Sequence, residues 1–125
     1  MNTAFHHVPD VIETKEIDDG KIIELCLYMP KTLVYFQGHF PSNPILPGVA
    51  QLDIAINYAV SYLNLDKSRF ESVKQIKFMK IIQPNAHLKL LLSMENNQLC
   101  FRYFVEDTVY SSGIISLSER VIQLT

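Results

Sequence analysis

The chain has 125 residues, 48% of them hydrophobic and 19% charged, with 11 Lys and Arg against 13 Asp and Glu for a formal net charge of −2. That length predicts one domain able to bury a core without metal or disulfide support, and the near-neutral charge excludes the strongly basic surface of a nucleic-acid-binding domain. Cys26 and Cys100 each sit in a strand-like run without metal-ligand spacing, so they read as reduced core residues.

The opening MNTAFHHVPD lacks the basic start and apolar run of a secretory signal. No apolar run approaches the ~20 residues of a membrane span, so a cytoplasmic protein is expected. Residues 1–9 read as a loose arm of a single domain spanning 1–125, with His6-His7 a solvated pair rather than a metal site. VIETKEI (11–17) alternates apolar and polar residues as a half-buried strand does. Asp18-Asp19-Gly20 is a turn signal and KIIELCLYM (21–29) the returning strand, which predicts a hairpin over 11–29.

The stretch FQGHFPSNPILPG (36–48) follows, with three of the chain's six prolines and two of its four glycines. Prolines fix φ and cannot donate to a ladder, so this loop is expected to be rigid and irregular. A helix is predicted over 48–63, with Pro47 suited to its first turn. Val49, Leu52, Ile56, Val60 and Leu63 keep helical spacing on one side, while Ala50, Ile54, Ala55 and Tyr58 make the other side apolar too. A helix apolar nearly all round is buried on most faces. Beyond residue 70, VKQIKFMKII, HLKLLLSM, QLCFRYFV and VYSSGIISLSE read as four strands in a meander, punctuated at Gln83-Pro84-Asn85, Glu95-Asn96-Asn97 and Glu106-Asp107. The predicted architecture is α+β, one antiparallel sheet wrapped round one central helix.

Three residues in and beside the loop carry chemistry. Asp53, the helix's lone charge, lies on the stripe of Val49, Leu52 and Ile56. An apolar wall strips a carboxylate of hydration and favours its neutral form, which can act as a general acid. The alternative is that Asp53 points to a wet edge or pairs with a cation. His39 is the loop's natural base, held by its prolines, or else a structural histidine. Gly48 opens the helix, where the first N–H groups have no internal partner and could polarise a carbonyl oxygen. The plainer reading is that Gly48 only makes the turn. A base, an acid and an oxyanion site within fifteen residues suit removal of water from a β-hydroxy carbonyl compound.

GHFPSNPILPGVAQLDIA (38–55) closely resembles the active-site motif of hot-dog-fold β-hydroxyacyl-[acyl carrier protein] dehydratases, GHFPxxPxxPGxxxxE/D. A second, shorter similarity runs from Ile76-Lys77-Phe78 to Pro84. The resemblance implies His39 and Asp53 as catalytic pair, with the backbone N–H groups of Gly48 and Val49 holding the thioester oxygen. It implies a dimer or higher even-numbered oligomer joined sheet edge to sheet edge, His39 of one subunit facing Asp53 of the other. The second subunit would be another copy or a related hot-dog chain. It also implies an acyl tunnel between subunits, and a substrate borne on the phosphopantetheine of acyl carrier protein, with no metal or organic cofactor. Lys77 and Lys80 fall where the family carries basic residues that could meet the acidic carrier, or they are ordinary strand-edge charges; Met79 stands at a place often held by arginine.

Three features depart from the larger branch of the family. The acid is Asp rather than Glu, Asn57 replaces a glutamine, and the chain starts almost at its first strand. With LPGVAQLD and the closing YSSG, they resemble the short ApeI-type dehydratases of aryl-polyene gene clusters. Two rivals are carried forward: a hot-dog thioesterase, against which the histidine loop argues, and a non-catalytic acyl-binding or partner subunit, against which intact His39, Asp53 and Gly48 argue.

Overall fold

A computed structural model of the chain describes residues 5–37 and 43–119. The first hairpin pairs β1 (Asp10–Ile17) with β2 (Ile22–Met29), and its turn places Asp18, Asp19 and Gly20 at positive φ. A helical turn at Val34–Phe36 precedes α1 (Gly48–Tyr62), the one α-helix among the described residues. Four strands follow: β3 (Phe70–Phe78), β4 (Ala86–Glu95), β5 (Gln98–Val105) and β6 (Thr108–Leu117).

The six strands pair antiparallel, in one sheet ordered β1-β2-β4-β5-β6-β3. The expected four-strand meander is therefore corrected. Only β4, β5 and β6 form one, because β4 pairs back onto β2 while β3 crosses to the far edge and pairs with β6. The predicted strand over 73–82 also stops early. Met79 and Lys80 both donate to the Tyr110 carbonyl, which takes the chain out of the ladder. Ile82 then turns into the core, and its carbonyl accepts from Leu46 N at 2.8 Å.

Alternation assigns one sheet face to the core: Leu25, Leu27 and Met29 from β2, Leu88, Leu90 and Leu92 from β4, Leu99, Phe101 and Tyr103 from β5. Against that face α1 lays Ala50, Gln51, Ile54, Ala55 and Ala59. This narrows the expected burial on most faces to the small-residue side. Small side chains let the helix axis approach the curved sheet, so Leu52, Ile56 and Val60 move to the half-buried flanks and Val49 is 76% exposed. In the segment expected to be a loose arm, the described residues make definite contacts. His6 N donates to Thr32 O and His6 O accepts from Val34 N, while the buried Pro9 carbonyl accepts from the Tyr58 hydroxyl at 2.8 Å.

Gly113 shows how tightly β3, β5 and β6 are packed. A Cβ at this position would overlap the buried Phe101 ring and lie 3.2 Å from the Gln75 carbonyl oxygen. Gly113→Ala is expected to lower stability by about 1–3 kcal/mol, the usual cost of overfilling a packed core. A urea midpoint unchanged from wild type would contradict that account.

Candidate active site

Pro47 caps α1 in extended conformation, and its carbonyl accepts from Ala50 N and Gln51 N. The two N–H groups ahead of these, on Gly48 and Val49, have no backbone partner among the described residues. They stand at the positive end of a fifteen-residue helix. Gly48 lines a groove of about 250 Å³ with Ile45, Leu46, Gln51, Phe78 and Lys80. A Cβ on Gly48 would overlap the Phe78 ring, so a glycine is what lets this phenyl reach the helix opening. The need is for space, beyond any role in the turn.

A buried amide fixes that end of the helix. Gln51 is 4% exposed; its Nε2 donates to Leu46 O at 3.1 Å and its Oε1 accepts from the Ser111 hydroxyl at 2.6 Å. The Gln51 carbonyl accepts from the Tyr103 hydroxyl at 2.7 Å. Burial drives the Tyr103 phenol well above its ordinary pKa, so it remains a donor. Loop, helix opening and sheet are thus tied through one residue that sequence reasoning passed over. Its sequence signal was a lone amide among Ala50, Ile54, Ala55 and Ala59 on the small-residue face.

Asp53 is half-buried, and its Oδ2 accepts from the Tyr35 hydroxyl at 2.8 Å. Neither an all-apolar wall nor a cation pair describes this site, because the carboxylate's partner is a phenol. Asp53 does not line the Gly48 groove. Round the helix Asp53 lies about 140° from Gly48 but only about 40° from Val49, and the N–H groups of both point along the axis. His39 lies outside the described residues.

The two lysines also part company. Lys80 lines the Gly48 groove, with its ammonium 5.1 Å from the Tyr110 ring centroid. Lys77 pairs with Ser112 and lines a separate groove with Arg102 and Ile114 on the opposite sheet face. Among the described residues no three His, Cys, Asp or Glu side chains gather as a metal site, and no helix is long and apolar enough to cross a membrane.

A sequence profile of the ApeI-like family, described as ApeI dehydratase, matches residues 14–114. The chain belongs to the ApeI-like dehydratase family. Its fold is the hot-dog fold, and the dehydratase heterocomplex ApeI:P from Xenorhabdus doucetiae superposes with a TM-score of 0.79 at 33% identity, over 89% of this chain and 98% of that one. An uncharacterized protein from Erwinia carotovora subsp. atroseptica gives 0.71 at 37% identity, over 89% and 94%. Among curated relatives, the 3-hydroxyacyl-[acyl-carrier-protein] dehydratase FabZ of Lactiplantibacillus plantarum is 35% identical over 86 residues, 63% of this chain and 58% of that protein. The chain thus spans less than two thirds of that relative's length. The FabZ of Caldanaerobacter subterraneus subsp. tengcongensis is 28% identical over 112 residues, 85% of this chain and 74% of that one. The segment shared with the ApeI-like family contains the histidine loop, Gly48, Val49 and Asp53.

Proposed function

We propose that this ApeI-like chain dehydrates 3-hydroxyacyl thioesters carried on acyl carrier protein, giving trans-2-enoyl thioesters for fatty-acid or polyene synthesis. The observation that carries the reading is a helix with two N–H groups at its opening unpartnered among the described residues, and an accessible carboxylate one and a half turns on. His39 takes the α-proton. The N–H groups of Gly48 and Val49 hold the enolate-like oxygen. Asp53 gives its proton to the β-hydroxyl, the Cβ–O bond breaks, and water leaves as the double bond forms. Every step is a proton transfer or a charge held by the backbone, so the reaction calls for no metal or organic cofactor. The phosphopantetheine arrives with the substrate.

Asp53 stands outside the lining of the Gly48 groove, which supports a site completed by a second subunit, with His39 of one chain facing Asp53 of the other. The outer edge of β3, unpaired among the described residues, supports the same reading. It exposes Val73, Ile76 and Phe78, continuous with Met79 and Ile81, more apolar surface than a solvated edge keeps. The second subunit is another copy or a related hot-dog chain, as the heterocomplex of the Xenorhabdus relative suggests. Lys80, beside the Gly48 groove, is the better placed of the two lysines to meet the acidic carrier, with Lys77 on the other face. A carrier-bound substrate places the reaction in the cytoplasm.

The test is turnover of a 3-hydroxyacyl-[acyl carrier protein], read by mass and by thiol titration. Loss of one water with the thioester intact is expected. Free thiol without enoyl product would establish the thioesterase instead, and carrier binding without either product would establish a binding subunit.

A further inference from the structure

The Tyr35–Asp53 hydrogen bond joins two segments eighteen residues apart, and nothing in the roles assigned above uses it. Its geometry is well supported. Tyr35 sits in the helical turn Val34–Phe36, whose flanks are anchored by buried Leu33 and Phe36. Val34 N donates to His6 O at 2.7 Å, and Gln37 Nε2 donates to Lys31 O at 2.8 Å. The phenol therefore projects from a clamped turn toward a helix that is itself lashed to the sheet by Gln51. Burial, reinforced by Asp53, pushes the Tyr35 hydroxyl up to about 12, so at neutral pH it is a committed donor.

We infer that Tyr35 is a positioning residue for the acid, holding Oδ2 of Asp53 so that Oδ1 carries the proton toward the departing β-hydroxyl. The inference rests on the dehydratase reading and adds a residue to it. A carboxylic acid has one O–H, and the oxygen already accepting from a phenol is the one left as carbonyl. Among the described residues Oδ1 has no hydrogen-bond partner. A half-buried aspartate with neither oxygen held would spread over rotamers, and proton transfer needs one orientation. Tyr35 is bonded to Asp53, so in this role its effect passes through the acid.

Tyr35→Phe removes the hydroxyl and keeps the ring. With a 3-hydroxyacyl thioester, kcat is expected to fall about tenfold with KM within about twofold, the size of effect for one hydrogen bond to a charged group. The discriminating substrate is the matching 3-acetoxyacyl thioester, which loses acetate and asks for no proton from Asp53. Its elimination by Tyr35→Phe is expected to stay within about twofold of wild type, because only acid-assisted departure depends on the bond. Equal slowing of both substrates would assign Tyr35 a general structural role and overturn the inference, as would unchanged water loss. A wild-type chain that processes neither substrate would overturn the dehydratase reading itself, and this role with it.

Discussion

Asp53→Asn is expected to lower kcat for water loss by about 10²–10⁴-fold, the contribution of a positioned general acid. The amide keeps the carboxylate's shape and can still accept from Tyr35, so folding stability should change little. His39→Ala should fall by a similar factor through loss of the base. The informative step is to combine the two. If His39 and Asp53 of one site come from different subunits, a mixed dimer of Asp53→Asn and His39→Ala chains contains one site with both residues intact and one with neither. Random mixing makes half the dimers mixed, so activity should recover to about a quarter of wild type. Co-expression or joint refolding, followed by the turnover assay, measures this. Activity that stays at the level of the single variants would remove the shared site between copies of this chain. The motive for the test is that Asp53 does not line the Gly48 groove.

Gln51→Leu is expected to cost about 2–4 kcal/mol, since two buried polar groups lose their partners at about 1–3 kcal/mol each. The Ser111 hydroxyl, fully buried, would lose its acceptor, and the Leu46 carbonyl its side-chain donor. Against a total of about 5–15 kcal/mol for a domain, that is a large share. Chemical denaturation measures it. Adding Ser111→Ala to Gln51→Leu should restore part of the loss, because an apolar pair replaces one orphaned hydroxyl. A double variant as unstable as the sum of the two singles would show that Gln51 and Ser111 act independently. Turnover should fall as well, since Leu46 leads into Pro47 and Gly48 and sets where their N–H groups stand.

These predictions draw on different sources. The elements themselves were legible locally. Period-two patterning, turn signals at Asp18-Asp19-Gly20 and Asn96-Asn97, and the apolar run after Pro47 depend on residues close in sequence, and the strands and helix formed near their predicted places. The motif from Gly38 to Ala55 carried the family for the same reason, as one contiguous spacing. The face of the helix that meets the sheet was not legible, because periodicity shows that a side is apolar without showing which side is buried. Close approach selected Ala50, Ala55 and Ala59 over the larger Val49 and Leu52.

Composition and spacing determined the α+β class and its element order, and singled out Asp53 and Gly48 as the helix's candidate positions. Tertiary structure decided what those positions face. The placement of β3 beside β6, the Gln51 tie to Ser111 and Tyr103, and the Tyr35 bond to Asp53 all join residues at least eighteen apart. Such contacts form only when the sheet closes around the helix, so no local pattern announces them. That closure brings the Tyr35 hydroxyl to Asp53 and the Phe78 ring to Gly48.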